Sequence, residues 1–148
     1  MYLFFPYTNG WIKNYVMKKR VIYRMGDNEQ LPYLVRYYIF SCRWFSVKLH
    51  NILLSDDDCM HDHPWKFISI ILKGGYVEHT PGIGSKDVSK KIYHPGNILV
   101  RPAHWIHRLE IHQPAWTLVI TFKKVRLWGF FTRNGWVPHY KYSEKDRC

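Results

Sequence analysis

The chain has 148 residues, 47% of them hydrophobic and 18% aromatic, which supplies one packed core and leaves no length for a second domain. The same figures exclude disorder, because 7 Trp, 11 Tyr and 8 Phe bury large areas and favour pleated surfaces. A formal charge of +11, from 22 Lys and Arg against 11 Asp and Glu, attracts anionic partners at long range without identifying one.

The opening apolar run lacks a basic region and is interrupted by Pro6, so neither a signal peptide nor a membrane span is expected. Cys42, Cys59 and Cys148 are odd in number, too sparse for a disulfide framework and without Cys-x-x-Cys spacing. They point to a reducing compartment, and the chain reads as one cytoplasmic domain over residues 1–148.

In chain order, residues 15–24 and 33–40 read as an early strand pair separated by the turn-forming Gly26-Asp27-Asn28. Residues 44–54 alternate, with Phe45, Val47 and Leu49 on one face and Ser46, Lys48 and His50 on the other, until the acidic run Asp56-Asp57-Asp58 breaks the pattern. Residues 64–72 form another strand that ends at Gly74-Gly75, a pair suited to positive φ. A shorter strand at 76–79 follows, and then residues 80–91, with Pro81, Gly82, Gly84 and Ser85, read as an exposed loop. Strands at 97–101, 107–112 and 116–124 close the series, with a turn at 102–105. The aromatic segment 128–142 is expected to cover one end, and a short helix is allowed there or at 9–17. Many short strands punctuated by Gly and Pro favour a sandwich or closed barrel over a parallel α/β sheet.

Seven of the nine histidines lie between His61 and His112. In an extended chain residues i and i+2 share a face, so His61 and His63 can reach one ion while Asp62 points away. Their face continues through Trp65, Phe67, Ser69 and Ile71. His107 shares a face with Leu109 and Ile111, opposite Arg108, Glu110 and His112, and therefore points inward. A lone inward histidine would satisfy itself by hydrogen bonding; a His-x-His pair joined by a third inward His favours a divalent metal. His50, His94 and His139 read as ordinary hydrogen-bonded histidines.

His61-Asp62-His63 followed by Gly74 or Gly75, then Gly96-Asn97-Ile98-Leu99-Val100-Arg101-Pro102 and His107, resemble the two motifs of the cupin superfamily. The resemblance covers roughly the middle third of the chain, 58–110, and implies an all-β fold, the double-stranded β-helix of the cupin jelly roll, with few short helices. The longer run His61-Asp62-His63-Pro64-Trp65, with Gly74-Gly75-Tyr76, Glu78 and Trp128-Gly129-Phe130, resembles a group of small bacterial and phage cupin-like proteins. The usual motif carries a Glu four or five residues after the second His; here Phe67 and Ile68 stand there, and His104 replaces the usual Gly of the second motif. What remains, His61, His63 and His107, resembles the three-histidine iron site of thiol dioxygenases.

Three neutral imidazoles leave a divalent ion (Fe, Mn, Ni or Zn) its full charge and open positions, which favours an anionic or chelating small molecule. Glu78 is a candidate fourth ligand from a neighbouring strand. Arg36, Tyr38, Trp65, Arg101 and His104 are candidate substrate-binding residues; Arg36 shares a face with Leu34, Tyr38 and Phe40 and would need an anionic partner if buried. Two functions follow. One is a metal-dependent enzyme of dioxygenase or isomerase type; the other is a non-catalytic barrel that captures a phosphorylated small molecule such as a nucleotide or nucleotide sugar. Lys18-Lys19-Arg20 is too short a cluster to predict specific nucleic-acid binding. A homodimer would cover edge strands and aromatic ends.

Overall fold

A computed structural model describes residues 18–25, 29–82, 87–146 and 148. Its strands are β1 (Lys18–Met25), β2 (Gln30–Ser41), β3 (Phe45–Ile52), β4 (Met60–His61), β5 (Phe67–Lys73), β6 (Tyr76–Pro81), β7 (Val88–Tyr93), β8 (Ile98–Arg101), β9 (Arg108–Glu110), β10 (Ala115–Phe122), β11 (Gly129–Thr132) and β12 (Gly135–Pro138). A short 3-10 helix, Glu144–Asp146, follows them. The expected turn at 26–28 and the helix position at 9–17 lie outside the described residues. Among the described residues, no helix is long and apolar enough to cross a membrane.

A six-stranded sheet runs in the order β1-β2-β3-β10-β5-β8. Facing it are two three-stranded sheets, β12-β11-β4 and β7-β6-β9, joined by an antiparallel bridge between His61 and His107. Between the layers, Ile71, Tyr76, Tyr93, Leu99 and Ala115 form the core, with Leu109 and Ile111 packed against it. This is the all-β jelly roll expected from the alternation and punctuation.

Register decides which side chains enter the interior. Ile71 is 1% exposed and pairs with Thr117, which pairs with His50, which pairs with Arg36. Residues directly opposite in a sheet share a face, so all four point inward. The next inward row is Tyr38, Lys48, Val119, Ser69 and Leu99. The Ser46-Lys48-His50 face of β3 is thus its inner face, and the interior is apolar at one end and polar at the other.

The turn between β5 and β6 requires its two glycines. Gly74 and Gly75 have φ of 77° and 144°, and a Cβ would stand 2.6 Å from Pro114 O and 2.5 Å from Tyr93 O, respectively.

Three readings of the sequence need correction. Residues 88–91, expected within the loop 80–91, open β7, which pairs with β6; the five exposed residues that begin this strand, Val88 to Ile92, gave no apolar face to recognise. Phe40 does not share the inward face of Arg36 and Tyr38, because a bulge between Tyr38 and Phe40 sets Phe40 opposite Val47, with its ring 5.4 Å from that of Phe45. Cys59 and Cys148, read with Cys42 as too sparse for a disulfide framework, form a disulfide across a separation of 89 residues, so the cysteines no longer argue for a reducing compartment.

Candidate metal centre

The backbone itself brings two of the three histidines together. His61 N donates to His107 O at 2.8 Å and His107 N to His61 O at 3.0 Å; such a doubly bonded antiparallel pair sends both side chains to one face. His63, two residues on, is anchored by its own N–H to Ala103 O at 3.0 Å. The three rings meet inside the barrel with centroids 4.9–5.1 Å apart. One ring nitrogen from each lies within 4.8 Å of the others, and His63 Nε2 is 2.8 Å from His107 Nε2.

Burial keeps two of these donors, His61 and His63, neutral. It lowers His61 to about 4, with the neighbouring His107 acting in the same direction and Asp56 opposing. His63 is pushed well below its ordinary value by burial and then by its two neighbouring imidazoles. Neutral rings offer lone pairs, the form in which histidine binds a metal. His61 Nδ1 is buried without a hydrogen-bond partner, 3.9 Å from Asp56 Oδ2.

Glu78 fixes the tautomer of His107. Its Oε1 accepts from His107 Nδ1 at 2.7 Å and from Trp105 Nε1 at 3.0 Å, and its Oε2 accepts from Arg101 Nη2 at 2.6 Å. With Nδ1–H bound to a carboxylate, His107 turns the lone pair of Nε2 toward His63, the arrangement by which an outer carboxylate orients a metal-binding imidazole. Burial alone would raise the Glu78 carboxyl, but the hydrogen bonds and charges of His107 and Arg101 bring it down to about 2. Glu78 thus stands behind His107, outside the group of three ring nitrogens. Arg101 also donates to Tyr93 Oη at 2.8 Å and stacks over Trp105 at 4.2 Å, so its charge is already met within the protein.

Two acids that the sequence marked only as a strand break and as a residue turned away also serve the centre. Asp56 accepts from Tyr33 Oη and from Leu109 N, which fixes the segment entering β4. Asp62 is fully buried, accepts from Gly129 N at 2.8 Å and lies 2.8 Å from Arg126 Nη2, so the outward member of His61-Asp62-His63 ties the motif to β11.

The other candidates divide. Arg36, Tyr38 and Trp65 face a second polar group on the large sheet: Arg36 Nε donates to His50 Nε2 at 3.0 Å, and Lys48 Nζ donates to Thr121 Oγ1 at 2.7 Å while lying 4.8 Å from the Trp65 ring centroid. His104 is exposed on its turn. The sequence reading missed Lys48 and kept His50 apart from the site; their position in the alternation was visible, but not that this face turns inward.

The His63–His107 pair fits a divalent transition ion. Two imidazole nitrogens about 2.0–2.1 Å from one ion stand about 3 Å apart when they subtend a right angle, close to the His63–His107 separation. Bound there, such an ion could polarise a carbonyl or activate dioxygen.

No protein-family model matches the chain, and no curated protein sequence matches it. Solved structures do. The DMSP lyase DddQ from Ruegeria pomeroyi is 17% identical, covering 86% of this chain and 64% of DddQ at a TM-score of 0.58. The polyketide cyclase RemF from Streptomyces resistomycificus is 14% identical, covering 72% of this chain and 77% of RemF at 0.54. The Fe(II) form of HppE is 14% identical, covering 71% of this chain and 57% of HppE at 0.54. The chain spans less than two thirds of the length of DddQ and of HppE. At these identities the likeness is one of fold: the chain is a cupin-type jelly roll, with three histidines gathered in its interior.

Proposed function

We propose that this protein is a metal-dependent enzyme in which His61, His63 and His107 hold one divalent ion, and that it acts on a small anionic molecule. The observation that carries this reading is the meeting of three imidazoles from two separate segments, two of them with ring nitrogens 2.8 Å apart. One proton shared between His63 and His107 satisfies that single contact, whereas a divalent ion at the same point takes a lone pair from each of the three rings. The same fold carries a lyase, a cyclase and an Fe(II) protein, which supports the reading by analogy. The reading also takes in the resemblance of the His61-to-Trp65 run to that of small cupin-like proteins.

When bound, the ion supplies Lewis acidity or dioxygen activation; the chain supplies everything around it. Glu78 holds the proton on His107 Nδ1, and Arg101 and Trp105 hold Glu78. Phe67, its ring 4.6 Å from that of His63, excludes water from one side. A ligand set without a carboxylate retains the ion's charge for an anionic substrate.

Elemental analysis of untagged protein, loaded in turn with Fe(II), Mn, Ni and Zn, tests the reading. One ion per chain is expected, falling to a trace in His63→Ala. Absence of stoichiometric metal under every loading condition contradicts it. A non-catalytic barrel would instead hold no stoichiometric metal, and its stabilisation by a phosphorylated ligand would be the same with and without added metal.

A further inference from the structure

Lys48 is 6% exposed, and among the described residues no carboxylate pairs with it. Among the same residues its ammonium is held by the Thr121 hydroxyl and the face of Trp65. Burial, and then the nearby Arg36, lower it to about 8. Arg36 likewise has no acidic partner among the described residues: its Nε is spent on His50, and it also reaches the Tyr38 hydroxyl, as Arg20 does. Two strands away Thr117 Oγ1 is buried and unpartnered. A buried, unneutralised cation beside a second one is costly unless an anion joins them.

The ammonium lies at the wall of an open cleft of about 260 Å³, whose rim carries Arg43, Lys123 and Lys124 and whose sides include Trp44 and Trp65. No acidic residue lines it. The cleft adjoins the three-histidine centre: Trp65 follows His63 by two residues, and Thr121 pairs with Phe67, whose ring packs on His63.

We propose that this cleft is an anion subsite that takes the phosphate group of a small phosphorylated molecule, with Lys48 as its deep cation and Arg43, Lys123 and Lys124 at the mouth. The buried charge on Lys48, with Arg36 nearby and three further cations at the mouth, matches a dianion, and the lysine ammonium retains two N–H donors beyond the one given to Thr121. Carboxylates offer one charge and fewer acceptors. The proposal deepens the reading of a small anionic substrate by naming its class and where its charge sits.

The test uses full-length protein stripped of metal by chelation, so that failure here and failure of the metal centre are told apart. Inorganic phosphate is titrated calorimetrically at neutral pH and constant ionic strength. Saturable binding near one per chain is expected, lost at least tenfold in Lys48→Met, weakened several-fold in Lys123→Gln/Lys124→Gln, and unchanged in the distant Lys90→Gln and in His63→Ala. Absence of saturable binding, or equal affinity in Lys48→Met, overturns the proposal. Should Lys48→Met not fold, the rim variant decides: undiminished affinity there overturns it.

Discussion

Glu78 is the residue on which the geometry of His107 turns, since its carboxylate is the partner of the ring nitrogen opposite the centre. Glu78→Gln keeps the shape but offers an amide where a carboxylate oriented the imidazole, and it leaves Arg101 without its counter-charge. Metal affinity, measured by competition with a chelator, is expected to fall by about ten- to a hundredfold. The sequence marked Glu78 as a candidate ligand because it lies just beyond the Gly74-Gly75 turn, but face parity is not carried through a turn. His50 makes a second prediction at this scale. Burial first, then Arg36 and Lys48, lower it from 6.5 to about 3. A depressed pKa means that the unfolded chain takes up the proton more readily, so the stability from neutral His50 is fully present above about pH 6.5 and is lost as pH falls toward 3. His50→Gln, whose amide oxygen can still accept from Arg36, should flatten that part of the stability profile in chemical denaturation; an unaltered profile would show that His50 is not held neutral.

At the scale of elements, alternation located most strands and placed His61, His63 and His107 inward, because one-sided burial writes a period of two into the sequence. It could not say which side of β3 is inner. Phe45, Val47 and Leu49 make the more apolar face, yet Lys48 is the buried residue; the choice depends on pairing with β10, which is distant in sequence. Nor could spacing reveal the bond between Cys59 and Cys148, brought together by the chain's return past β11. That bond tethers the segment after β12 next to Met60 and His61. Its reduction should lower stability by about 2–4 kcal/mol, read as a shift of the denaturation midpoint in reductant. A Cys59→Ser/Cys148→Ser variant should reproduce the shift and lose further sensitivity to reductant.

For the whole molecule, the two layers divide the labour. The end around Ile71, Tyr76 and Leu99 is apolar and holds the sheets together, while the end around Phe67 carries imidazoles on one layer and, on the other, cations that no acid neutralises among the described residues. Cupin-like motifs in the sequence pointed to this architecture; the cationic group could not be read there, because Arg36, Lys48 and His50 become neighbours only through the register of β2 with β3. X-ray absorption at the edge of the bound metal tests the central claim directly. The multiple-scattering pattern should require three imidazoles in the first coordination shell and lose at least one of them in His107→Ala. A metal surrounded by oxygen or sulfur alone, or a spectrum unaltered by that substitution, would contradict a centre built from His61, His63 and His107.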